Sequence, residues 1–167
     1  MKTQITILAA VLSCAFAGQA MALTKEEYKA QDDRISADYK AAREKCNTLK
    51  ANAKDICVAE AKGTEKVAKA ELEAQYKPSP RNDEKLTVAK ADAAYDVAKE
   101  KCDDLTPSAS PGPATSPGAG AGAAANASAA SAKDVCMKDA KAAHVKAKED
   151  AKVTKAAADN SQSKAKQ

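Results

Sequence analysis

A half-motif that occurs twice, each time with a cysteine at the same place, limits what this 167-residue chain can fold into. The stretch Tyr39 to Leu49 (YKAAREKCNTL) returns as Tyr95 to Leu105 (YDVAKEKCDDL), a constant offset of 56. A second element, Ala53 to Lys62 (AKDICVAEAK), returns as Ala132 to Lys141 (AKDVCMKDAK), at an offset of 79. The difference of 23 residues is one insertion between the two cysteines of the second copy. The pattern predicts a duplicated helix–Cys–loop–Cys–helix unit, and repeats of this kind set the architecture before any local assignment.

The first 22 residues read as an export signal: Lys2 is the positive end, Ile5 to Phe16 the apolar stretch and Ala20-Met21-Ala22 the small-residue cleavage site. Cleavage is expected between Ala22 and Leu23. The apolar run is too short to span a bilayer, so no transmembrane span is expected in the mature chain. A helix start follows the cut at once, because Thr24 and Glu27 are spaced as a capping box, flanked by Leu23 and Tyr28 as a staple. A less favoured cut before Cys14, whose VLSC sequence loosely resembles a lipobox, would make a lipoprotein.

The mature chain then holds four cysteines, Cys46, Cys57, Cys102 and Cys136, and an even count behind an export signal implies disulfides. Pairing within each copy, Cys46 with Cys57 and Cys102 with Cys136, makes each copy self-contained and is the favoured reading. An up-down-up-down bundle would gather all four at one end, which leaves Cys57–Cys102 with Cys46–Cys136 open as well. Removing Lys2 takes the formal charge from +4 to +3, too mild to demand an anionic partner. The mature chain lacks Phe and Trp, and its large apolar residues are five Leu, two Ile, seven Val, Met137 and four Tyr. So little apolar mass lies near the limit for folding, but abundant Ala, Lys, Glu and Arg favour helix.

Apolar residues recur at heptad spacing in four segments. Tyr28, Ile35, Tyr39, Ala42, Cys46 and Leu49 form the first seam, broken by Asp32. Cys57, Ala61, Ala68, Leu72 and Tyr76 form the second. Val88, Ala91, Tyr95, Ala98, Cys102 and Leu105 repeat the first, and Met137, Ala140, His144, Ala147 and Ala151 make a weaker fourth. The expected helices are about 25–47, 53–76, 80–105 and 132–159. Lys77-Pro78-Ser79-Pro80 ends the second helix, and Ser79 with Pro80 begins the third. The fold class expected is all-α: two tandem disulfide-stapled αα-hairpins, as an elongated bundle or coiled-coil arms. The division is a signal peptide (1–22), a first hairpin (23–77), a Pro-containing linker (78–81), a second hairpin (82–159) and a disordered tail (160–167). A Pro/Ala/Gly/Ser insertion at 107–131 is expected to be disordered.

No catalytic, cofactor-binding or metal-ligating constellation is read from the sequence, and an enzyme is not expected. The cysteine spacings suit neither a redox Cys-x-x-Cys nor a zinc site. His144, the one histidine, reads as a packing or surface residue. Carboxylates alternate with lysines on wet faces, and the tyrosines fall at core spacing. Lysines without interleaved arginines and aromatics, behind an export signal, argue against nucleic acid, and no nucleic-acid partner is expected. Asn126-Ala-Ser128 matches the N-glycosylation triplet, and the Ser-rich tract is a candidate O-glycan acceptor.

The segments Asn52–Lys62, Ala70–Pro80 and Ala91–Cys102 resemble a group of small exported proteobacterial proteins of unknown function, sometimes labelled by similarity to the TolA stalk or as cell-surface proteins. The resemblance covers nearly all the mature helical part and implies an envelope location, the periplasm, without transferring a site. The function expected is a non-enzymatic structural or interaction protein, a spacer or adaptor with a protein partner or self-association through its helical seams. The alternative is a periplasmic ligand- or metal-binding or stress-protective protein using His144, thiols or the Lys-rich faces.

Overall fold

In the computed structural model of the protein, residues 23–105 and 121–166 are described. Four helices follow one another: α1 (Lys25–Cys46), α2 (Ala51–Tyr76), α3 (Pro80–Asp103) and α4 (Ala121–Ala165). No strand occurs among the described residues. The expected cut at Ala22/Leu23 and Cys14 fall at or beyond the edge of the described residues.

Local chemistry accounts for the helix ends. The Thr24 hydroxyl accepts from the Glu27 amide at 3.1 Å, and the Glu27 carboxylate accepts from the Thr24 amide at 2.8 Å. The bond from the Thr24 amide first, and the Thr24 hydroxyl beside the carboxyl second, hold the Glu27 carboxyl below its ordinary pKa. Between α2 and α3, Ser79 Oγ caps the Asn82 amide, Pro80 occupies the first turn, and the buried Asn82 side chain donates to the Lys77 carbonyl at 2.7 Å. The α1–α2 connection spans 47–50, and Ala51, the first residue of α2, holds φ 48°, a left-handed backbone that costs a Cβ-bearing residue about 1–2 kcal/mol.

The helices run antiparallel in chain order, and each packs only on its neighbours: α1 on α2, α2 on α3, α3 on α4. The array is therefore open, with α1 and α4 as its edges. Both staples form within a copy. Cys46 bonds Cys57 and Cys102 bonds Cys136, with Cα atoms 5.5 and 5.7 Å apart. Asn52 Nδ2, near the first staple, donates to the Glu100 carbonyl near the second at 2.7 Å. That bond places both disulfides at the same end of the array.

The buried apolar set is small: Cys46, Ala59, Ala61, Leu72, Ala89, Cys102 and Ala151. Its two fully buried side chains of greatest volume are half-cystines, Cys46 and Cys102. The sulfurs are thus the core at that end as well as its covalent tie. At the other end of the first hairpin, Tyr28 and Tyr76 pack with ring centroids 4.7 Å apart. Asp32, the polar break in the α1 seam, lies where it adds to the pull of Glu65 on Lys69, whose pKa is raised first by its bond to Glu65.

Three differences from the sequence reading have physical causes. First, α2 and α3 each bury two faces, because each has a helix on either side. A second, small-residue stripe (Ala59 and Gly63 on α2, Ala89 and Ala93 on α3) joins the hairpins, and the heptad reading had assigned only one seam per helix. Second, α4 is longer than the expected 132–159. The insertion expected to be disordered over 107–131 lies outside the described residues up to 120, and from Ala121 the backbone is helical. All four prolines of the insertion precede position 118, leaving an alanine-rich stretch with strong helix propensity. The tail expected to be disordered from Asn160 instead continues the helix to Ala165. Third, Leu49 and Leu105, placed on the seams, follow the last helical turns and stay exposed at 41% and 44%.

Candidate functional site

The densest polar cluster is built around Asp92, on α3. Its Oδ1 accepts from His144 Nε2 of α4 at 2.6 Å, and its Oδ2 accepts from Lys66 Nζ of α2 at 2.6 Å. Lys148, one turn beyond His144, adds a charge 3.9 Å from Oδ1. Tyr95, one turn beyond Asp92, stacks on the His144 ring at 4.6 Å between centroids and 12° between planes. Lys99 Nζ lies 5.8 Å from the Tyr95 ring centroid. One carboxylate therefore ties three helices together.

The electrostatics follow from that geometry. Burial raises the Asp92 pKa, but the bonds from Lys66 and His144, with the charges of Lys66 and Lys148, outweigh it and hold the carboxyl below its ordinary value. With Nε2 facing a carboxylate, the imidazole carries a proton on that nitrogen. Both carboxylate oxygens are occupied, which suits a structural knot. A general base would need one of them turned toward a substrate proton.

His144 matches its reading as a packing residue, and the structure adds its bond to Asp92. Asp92 was missed because one carboxylate among alternating Lys and Asp residues carries no signal by itself. Comparing the copies could have found it. At an offset of 79 His144 corresponds to Glu65, and at 56 Asp92 corresponds to Ser36, so the knot belongs to the second copy alone. The four cysteines of the described residues are all in disulfides and offer no thiol. Among the described residues no group of three or more His, Cys, Asp or Glu is placed to hold a metal ion.

A second feature is apolar. An open groove of about 690 Å³ runs between α2 and α3, floored by Gly63, Val67, Ala68, Val97 and Ala98, with Glu60, Glu71 and Lys101 as its charged residues. It shares Thr64 and Ala68 with a smaller groove between α1 and α2, and Ala98 with an open groove of about 830 Å³ between α3 and α4. A broad, weakly apolar face thus crosses the array. Between α2 and α3, a second depression is lined by Asp55, Lys62, Asp96 and Glu100 and is polar.

No helix of the described residues is long and apolar enough to cross a membrane. No family model, curated protein or solved structure matches the chain.

Proposed function

We propose that this protein is a non-enzymatic, exported helical adaptor or spacer of the bacterial cell envelope, acting in the periplasm and receiving a helical segment of a partner protein in the groove between α2 and α3. The observation that carries the proposal is the pairing of a thin, covalently stapled core with an uncovered apolar groove. A chain that stays folded through disulfides can leave apolar surface free for a partner without losing its own shape. Helix-in-groove binding uses apolar anchors at i, i+3, i+4 and i+7, and the alternation of Val67, Ala68, Val97 and Ala98 suits such anchors. Oxidised cysteines, and a His144 already bonded to Asp92, favour this reading over ligand, metal or thiol chemistry.

A photo-reactive residue at Val97 tests the proposal in cells. It is expected to cross-link a discrete envelope protein, and Val67→Asp should abolish the adduct while leaving circular dichroism unchanged. Recovery of the cross-linker-bearing protein only as an unlinked monomer would contradict it.

A further inference from the structure

The duplication allows the junction between the two copies to be compared with the outer edges of the array. Inside the chain, α2 meets α3 at several places that can be compared. Lys66 pairs with Asp92 at 2.6 Å, and Glu73 with Lys85 at 3.0 Å. Ala59 shares a depression with Asp96. The backbones approach so closely at Gly63 that an added Cβ would lie 2.9 Å from the Ala93 Cβ. If a second copy of the chain added its α1 to the outer face of α4, the same contacts would be made by residues 79 positions later on α4 and 56 earlier on α1.

The correspondence is structural as well as sequential. The disulfides coincide under these offsets, and Arg43 over Tyr39 in the first copy matches Lys99 over Tyr95 in the second. The corresponding outer face of α4 exists as a surface on which Lys138, Ala142, Val145 and Lys146 lie together.

Nearly every tie is lost or reversed at the edges. Lys66 with Asp92 becomes Val145 with Ser36, which cannot pair. Glu73 with Lys85 becomes Lys152 with Lys29, two like charges. Ala59 beside Asp96 becomes Lys138 beside Lys40, again two cations. Gly63 against Ala93 becomes Ala142 against Ala37, which puts a real Cβ where the junction tolerates none. One complementary pair survives, Asp139 with Lys45 in place of Glu60 with Lys101. A lone surface pair contributes little against these losses.

We infer that the two outer faces are re-coded forms of the inter-copy junction that refuse a second copy of this chain, so the array ends at two hairpins. A heterologous edge contact that does not close generates filaments, and terminal repeats with polar outer faces prevent this in solenoids. The inference holds whether or not the groove between α2 and α3 binds a partner. It removes edge-to-edge self-association from the expectations for the seams.

The test restores the junction code on both edges of the full exported chain: Lys138→Ala, Ala142→Gly, Val145→Lys and Lys152→Glu on α4, with Ser36→Asp on α1. Sedimentation velocity is expected to show a monomer for the wild type at every concentration. The restored variant, with wild-type helicity, should form oligomers that grow with concentration. Should that variant lose helicity, the milder Ala142→Gly/Lys152→Glu pair, expected to associate more weakly, takes its place. Two results would overturn the inference: wild-type oligomers with Lys152–Lys29 or Lys138–Lys40 cross-links between molecules, or a folded restored variant that stays monomeric.

Discussion

At the scale of single residues, three positions carry more than their composition suggests. Asp92 is the only residue whose side chain bonds to two other helices among the hydrogen bonds described, and its lowered pKa fixes the sign of a pH effect. A carboxyl with a folded-state pKa below its unfolded value contributes stability above the unfolded pKa, near 3.9, and loses it as pH falls toward the folded value. Asp92→Asn is therefore expected to cost about 1 kcal/mol at pH 7, seen as a lowered urea midpoint. The difference from wild type should shrink as the pH is taken below about 4. Ala51 is a site of stored strain. Ala51→Gly should stabilise by about 0.5–1 kcal/mol, the relief of a left-handed Cβ less the entropy of glycine. Gly63 works in the opposite sense. Gly63→Val would drive a branched side chain into Ala93, and a loss of about 2 kcal/mol is expected from overpacking, with equilibrium unfolding as the measurement.

At the scale of elements, legibility followed the physics of each signal. Helix starts were legible because capping is local: Thr24 with Glu27, and Ser79 with Pro80, function as their side chains predict. Ser79→Ala is expected to lower stability by about 1 kcal/mol through the lost cap, read as a drop in melting temperature. The disulfide pairing was legible as a preference, since the repeat made each copy self-sufficient. The inter-hairpin junction was not, because alanine and glycine fill most positions of these helices and a stripe of them has no contrast. The Asp92 knot was also hidden, since it depends on which faces of α2, α3 and α4 meet. The extension of α4 into the insertion was obscured by treating the segment as one composition. Its four prolines all precede position 118, and seven of its ten alanines follow position 120.

For the whole molecule, the open order of the helices explains why so few large side chains suffice. Each hairpin needs only enough burial to orient its partners, because the sulfurs prevent separation. Closing the loop between Cys46 and Cys57 should contribute about 3 kcal/mol, and the longer loop between Cys102 and Cys136 about 4. Those values are a large part of an ordinary total of about 5–15 kcal/mol. The insertion of the second copy is tolerated because loop closure grows only logarithmically with length. The most direct measurement is thermal melting of the oxidised protein by circular dichroism, with and without a thiol reductant. The account predicts that reduction removes most of the cooperative transition and a large share of the helicity at 37 °C. Superimposable melting curves for the oxidised and reduced forms would contradict it.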